Sequence, residues 1–401
     1  MALVNRRTFL RHTLQVAAGA LLTGCNTLGV VGVTNARVAM TDYRRAALRP
    51  PLASALLEPT LPVPDVPLAT KIGQMIMVGF RGRWVDTQSE IVQQIADGLV
   101  GSVVLFGRNV ESPDQLQSLT STLRGYSPLP LLVAVDQEGG WVSRLPSSFG
   151  IATNYSAQFL GTRNELDLTQ AQGASTAQRL AELGINLNLA PVVDLNTNPS
   201  NPIIGRYERS YSADPAVVAT HARAVIEAHR SYNVFCTLKH FPGHGSSRGD
   251  THYGFVDVTD TWNVTELSPY AALIGEQNCD VIMTAHIFNA LLDPTYPATL
   301  STNIITGILR EKLGYTGVIV SDDMQMGAIS SQYDLATAVR LAITAGIDMI
   351  AFSNNISLGR NATGKRLHDI ITKLVDTGVV TPERIDQSYQ RIMGLKRRLV
   401  G

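Results

Sequence analysis

Residues 239–252 read KHFPGHGSSRGDTH, three histidines, one aspartate and one lysine in a short stretch. Two chemistries suit them. His240, His244, Asp250 and His252 are ordinary zinc ligands by residue type. Alternatively, Asp250 and His252 form a dyad. A carboxylate bonded to one ring nitrogen fixes the tautomer, and the other nitrogen then gives and takes a proton near neutral pH. A third reading gives these histidines no chemistry and has them hold a loop together. The residues alone leave all three open.

A second motif, GVIVSDDM at 317–324, delivers Asp322 and Asp323 to the polar end of an apolar run. Neighbours on a strand point to opposite sides. One carboxylate therefore faces a pocket and the other accepts loop amides. A carboxylate so placed can attack an anomeric carbon and hold a covalent sugar; a helix cap is the plainer use of SDD. In VAVDQEGGWVSRL, 133–145, Asp136 can accept sugar hydroxyls and Arg144 can reach the same pocket. Gly139 and Gly140 permit positive φ or close backbone approach. The same segment also reads as a turn with a surface arginine. In 203–215, IIGRYERSYSADP, Arg206 and Arg209 are free to meet either substrate or a carboxylate.

These groups need a frame. Eight apolar, Val- and Ile-rich runs (74–80, 101–107, 131–136, 186–194, 234–240, 280–286, 317–322 and 347–353) alternate with amphipathic segments. Continuous apolar runs suit parallel strands buried on both faces. Asp214 with Pro215 marks a helix start, and Val218, Ala222, Val225 and Ile226 form its apolar stripe. Helices over 303–313 and 335–345 are expected to stop at Gly314 and Gly346, and Pro382 opens a last helix to about Arg398. Eight βα units predict a single (β/α)₈ TIM-type barrel, with an open doubly wound sheet as the alternative. In a barrel the strands' C-terminal ends carry the active site. Asp136, Asp194, Lys239, His240, His286, Asp322 and Asp323 all fall there.

The rest of the chain sets limits. It has 401 residues, 45% hydrophobic and 16% charged, with 33 basic against 33 acidic side chains. That excludes general disorder, and the absence of a basic excess argues against nucleic acid as a partner. No P-loop, dinucleotide fingerprint or G-x-S-x-G elbow is present. Residues 1–24 read as a signal peptide: Arg6 and Arg7 form a twin-arginine pair, then an apolar run precedes Leu22, Thr23, Gly24 and Cys25. The last four resemble a lipobox, making Cys25 the acylated residue. The expectation is an exported cell-envelope lipoprotein held at the membrane by its lipid only. Residues 25–66 are a Pro-rich linker and 67–401 the barrel domain. Cys236 and Cys279 remain as two thiols or one disulfide.

Taken together the four motifs resemble glycoside hydrolase family 3, in its bacterial β-N-acetylglucosaminidase branch. KHFPGHG followed by DTH, and Ile308, Leu309, Arg310, Lys312 and Gly317 leading into VIVSD, carry the likeness from about Pro67 onward. The resemblance implies Asp322 as nucleophile of a retaining mechanism and His252, paired with Asp250, as general acid/base. It implies Asp136, Arg144, Arg209, Lys239 and His240 as binders of the N-acetylglucosamine unit, with Arg206 in reserve. No cofactor and no metal follow from it, and the chain is expected to act as a monomer. The substrates would be peptidoglycan fragments or chitin oligomers; a β-glucosidase or β-xylosidase and a metal-dependent hydrolase are the alternatives. A histidine acid/base also suits an incoming anion, so phosphate is expected to compete with water. Trp141 stands where the related pattern often has arginine, which makes it a candidate for stacking on a sugar at the pocket rim.

Overall fold

The computed structural model describes residues 66–355 and 363–399. The expected signal segment, Cys25 and all of the linker except residue 66 lie outside the described residues. Among the described residues ten strands occur in chain order: β1 (Ile76–Gly79), β2 (Ser102–Leu105), β3 (Leu132–Val135), β4 (Gln137–Gly139), β5 (Val142–Ser143), β6 (Leu187–Asn188), β7 (Phe235–Phe241), β8 (Val281–Thr284), β9 (Val318–Val320) and β10 (Ile350–Phe352). Eight pair in parallel in the order β10-β1-β2-β3-β6-β7-β8-β9. A parallel bridge between Val320 and Met349 joins the two ends, so the sheet closes into a (β/α)₈ barrel. This closure excludes the open doubly wound alternative. All eight barrel strands are buried along their length, which explains their largely apolar character; the polar members, such as Asn188, Lys239 and His240, serve the site.

Each expected run carries one barrel strand, but the fourth is much shorter than its sequence suggests. Only Leu187 and Asn188 pair with β3. Pro191 has no N–H to give to a ladder, and the chain rejoins the barrel at a Val192–Lys239 bridge. The hairpin β4–β5 was not anticipated.

Helix punctuation works as sequence chemistry requires. Asp214 caps Pro215–Arg230 by accepting the Ala216 N–H at 2.8 Å, and the stripe from Val218 to Ile226 is buried. Leu335–Ala345 ends at Gly346 with φ +118°. The segment Asn303–Lys312 is a π-helix, where an α-helix was expected; the Leu313 N–H reaches five residues back to the Ile308 carbonyl at 2.9 Å. Cys236 and Cys279 are both free thiols. Among the described residues no helix is long and apolar enough to cross a membrane.

Candidate active site

A cavity of about 550 Å³ is lined by residues at the C-terminal ends of the barrel strands and by the loops that follow them. Its floor is charged. Asp136 follows β3 directly, and the extended backbone puts Glu138 on the same side two residues on. The Lys239 Nζ donates to Asp136 Oδ1 at 2.8 Å and lies 2.7 Å from Glu138 Oε1. Arg209 grips Glu138 through Nε and Nη2, both at 2.8 Å. Arg144 Nη2 lies 3.4 Å from Asp136 Oδ2. Burial alone would raise both carboxyl pKa values. Lys239 with Arg144 for Asp136, and Arg209 with Lys239 for Glu138, outweigh it and hold both below the usual carboxylate range. Burial opposes the charge on Lys239 and Arg209 too, but the same carboxylates raise their pKa values. All four groups are thus ionised at neutral pH. The Arg144 Nε is buried with no hydrogen-bond partner among the described residues.

The floor is held by a second layer. Asn188 accepts the Gln137 N–H at 3.1 Å and donates to its carbonyl at 3.0 Å. The His229 ring meets Asn188 Nδ2 through Nε2 at 3.0 Å and the Val225 carbonyl through Nδ1 at 2.9 Å. That pattern fits a neutral ring with the proton on Nδ1. Burial, which lowers the pKa of His229 to about 4, agrees. At the hairpin turn Gly139 and Gly140 have φ of +95° and +58°. A Cβ on Gly139 would sit 2.5 Å from the Tyr155 carbonyl oxygen, so this turn needs glycine on two counts.

Behind His240, Asp194 is fully buried. It accepts the His240 Nδ1–H at 2.7 Å and the backbone N–H of His240 and His244 at 3.1 and 2.8 Å. This leaves His240 Nε2 facing Arg209 Nη2 at 3.3 Å. The shift of β7–β8 register between Leu238 and Phe241 accompanies the turn of both Lys239 and His240 into the cavity.

The two adjacent aspartates are pushed in opposite directions. Asp323 accepts the N–H groups of Gln325 and Ser353 at 3.0 and 3.1 Å and the Ser353 hydroxyl. Burial, with the neighbouring Asp322 charge, raises its pKa despite those bonds. Burial also disfavours charge on Asp322. The facing rings of His286 and His240 and the Asp323 N–H outweigh it, and its pKa is lowered. Asp322 is the anion turned to the cavity, and Asp323 the carboxylate tied into its loop.

Asp250 and His252 come from the loop after β7. Nδ1 of His252 lies 2.7 Å from Asp250 Oδ1, which also accepts the His252 backbone N–H at 2.9 Å. A carboxylate partner puts the proton on Nδ1 and leaves Nε2 for proton transfer. The imidazole is 59% exposed, so water and a leaving group can both reach it. Both residues line the same cavity as Asp322.

The side chains of the metal-ligand reading are each engaged by protein groups. His240 is engaged by Asp194 and His252 by Asp250. His244 lies between Ser247 Oγ at 2.8 Å and Thr251 Oγ1 at 3.4 Å, with its pKa lowered by burial to about 4. Among the described residues no three His, Cys, Asp or Glu side chains converge as a metal site. The loop glycines serve packing as well: a Cβ on Gly245 would sit 1.7 Å from the Leu195 carbonyl oxygen.

Residues 67–395 match the family model described as the glycosyl hydrolase family 3 N terminal domain. The chain belongs to glycosyl hydrolase family 3. It is 33% identical over 381 residues to Beta-hexosaminidase A of Pseudoalteromonas piscicida, covering 84% of this chain and 62% of that protein. It is 37% identical over 286 residues to a Beta-hexosaminidase of Xylella fastidiosa, covering 69% and 82%. A solved family 3 beta-N-acetylglucosaminidase from Paenibacillus matches with TM-score 0.77 at 34% identity, covering 84% of this chain and 63% of that one. The Beta-N-acetylhexosaminidase of Beutenbergia cavernae matches with TM-score 0.74 at 29% identity, covering 83% and 99%. The chain thus spans less than two thirds of the first relative of each kind.

All eight residues singled out within the family 3 domain from its motifs line this one cavity, whereas Arg206 is exposed and outside it. Glu138 was missed. The signal was its spacing of two from Asp136 on an extended segment. Asp194 and His286 were noted as strand-end polar residues but given no task. Asp194 orients His240, and His286 faces Asp322 while its Nε2 lies 3.0 Å from the Asp323 carbonyl.

Proposed function

We propose that this chain is a retaining exo-β-N-acetylglucosaminidase that removes terminal β-linked N-acetylglucosamine from peptidoglycan fragments or chitin oligomers. One observation carries the reading: a carboxylate held anionic, Asp322, shares a cavity with an imidazole oriented by a second carboxylate at 2.7 Å. The names of its relatives as hexosaminidases support the sugar class. Asp136, Glu138, Arg144, Arg209, Lys239 and His240 supply donors and acceptors suited to hydroxyl and amide groups.

In the first step an Asp322 oxygen bonds to the anomeric carbon as the glycosidic C–O bond breaks. His252, as imidazolium, gives its Nε2 proton to the departing oxygen. His252 is then neutral and takes a proton from water. The water oxygen bonds to the anomeric carbon, and Asp322 leaves as carboxylate. Two inversions give net retention.

The test compares p-nitrophenyl N-acetyl-β-glucosaminide with the β-glucoside, with and without EDTA. We expect preference for the N-acetyl sugar, no effect of EDTA, and a β anomer as first product by proton NMR. Preference for glucoside overturns the sugar assignment, loss with EDTA the metal-free chemistry, and an α product the covalent route. From the sequence of residues 1–25 we further propose an exported lipoprotein acylated at Cys25. Palmitate labelling that survives Cys25→Ala would refute it.

A further inference from the structure

Three large aromatic side chains stand exposed on the rim of the cavity. Trp141 is 71% exposed, Tyr253 88% and Tyr207 45%, and all three line the space that holds Asp322 and His252. Other exposed aromatics, such as Trp84, Tyr126 and Tyr232, do not line it. The three come from separate segments: Trp141 from the β4–β5 turn, Tyr207 from the turn at 205–208, Tyr253 from the loop after β7.

Two of these rings are carried on fixed backbone. The turn under Trp141 is packed against 155–156, where a Cβ on Gly140 would meet the Ser156 Cβ at 2.7 Å. The Tyr253 N–H donates to the Asp250 carbonyl at 3.2 Å, and Gly327 packs against the Tyr253 backbone. Leaving such rings in water forgoes the gain of burying them. A ligand that covers them recovers that gain with little ordering cost, because the backbone is already set.

Floor and rim differ in chemistry. The floor is a dense set of ionised groups, suited to the polar edge of one terminal sugar. The rim is aromatic, suited to the C–H face of a pyranose ring. We infer that Trp141, Tyr253 and Tyr207 form a binding subsite for the sugar units on the leaving-group side of the scissile bond. The substrate is then a β-linked oligosaccharide of N-acetylhexosamine, and Trp141 is a specificity-determining residue. The inference rests on the proposed function for the sugar bound at the floor.

The experiment uses the full chain with Asp322→Asn, so that oligosaccharides stay intact. N-Acetylglucosamine and its β-1,4-linked trisaccharide are titrated by calorimetry, with and without Trp141→Ala; Tyr253→Ala is the second variant. The trisaccharide should bind more tightly than the monosaccharide. Trp141→Ala should shrink that advantage by roughly threefold to tenfold, in the range of one aromatic contact, and Trp141→Phe should restore part of it. An advantage unchanged in both alanine variants overturns the rim subsite. Monosaccharide that fails to bind, beside trisaccharide that binds through Trp141, keeps the subsite and removes the N-acetylglucosamine assignment of the floor. No binding of either sugar removes both.

Discussion

Gly327 donates its backbone N–H to the carbonyl of His252 at 3.0 Å, and Ala328 does the same to Thr251 at 3.0 Å. The loop carrying the proposed acid/base is therefore fastened to the turn that follows Asp322. The contact is possible only without a side chain. A Cβ on Gly327 would lie 2.8 Å from the His252 carbonyl oxygen and 2.7 Å from the Tyr253 carbonyl carbon, both backbone atoms. Gly327→Ala should push the loop away and lower kcat by roughly 10- to 100-fold, the scale of an ångström misplacement. A kinetic comparison with matched thermal melts checks it, and an alanine variant at full turnover would show that the fastening is dispensable.

The two reacting groups should fail in different ways. Asp322→Asn should lose turnover by on the order of 10⁴-fold on every substrate. His252→Ala should lose about 10²- to 10⁴-fold on substrates with poor leaving groups. Its deficit should shrink as the leaving group becomes more acidic, since a good leaving group needs no proton. Equal deficits across a series of aryl glycosides would remove His252 from the acid role.

Glu138 stands between two buried cations. Glu138→Ala would leave Lys239 with Asp136 alone and Arg209 with no carboxylate in contact. Breaking a buried ion pair from one side costs about 3–5 kcal/mol. Urea denaturation should report a loss of that order, and a loss below about 1 kcal/mol would mean that the cluster relaxes or takes in water.

Two buried groups outside the floor cluster give stability an unusual pH dependence. Lys396 donates to Gln74 Oε1 at 2.6 Å and to the Gly101 carbonyl at 2.7 Å, with no carboxylate bonded to it among the described residues. Burial lowers its pKa from 10.5 to about 7. Between those values the unfolded chain holds a proton that the folded chain has shed, so its contribution to stability rises with pH. Glu266 behaves in reverse. Burial, then the Asp194 charge, raises its pKa from 4.5 to about 8, and its Oε1 has no hydrogen-bond partner among the described residues. Between pH 4.5 and 8 the folded chain keeps a proton the unfolded one has lost, so this contribution falls as pH rises. Urea midpoints at pH 6, 8 and 9.5 should show Lys396→Met losing the upper rise and Glu266→Gln losing the lower decline. Variants that follow wild type in parallel at all three values would contradict both assignments.

The barrel could be read from the chain because burial on both faces favours largely apolar runs, and six of the eight end in a polar residue at the rim. Asp322 and Asp323 were separable in kind, one facing the cavity and one tied to amides, because strand geometry opposes adjacent side chains. Their order was not separable by geometry alone. It depends on Ser353 and His286, which arrive from other strands. Glu138 escaped notice because its partners, Arg209 and Lys239, lie 71 and 101 positions away in the chain. Gly245, in the loop after β7, is packed against Leu195, a contact that only the folded chain reveals.

The β4–β5 turn places Trp141 at the tip of a hairpin whose root holds Asp136 and Glu138. Tip and root are only a few residues apart, yet the root is locked by Asn188 and the tip projects into solvent. Such a hairpin can change what it greets at the entrance through the single side chain at its tip, while the glycines beside it and the charges beneath keep their footing.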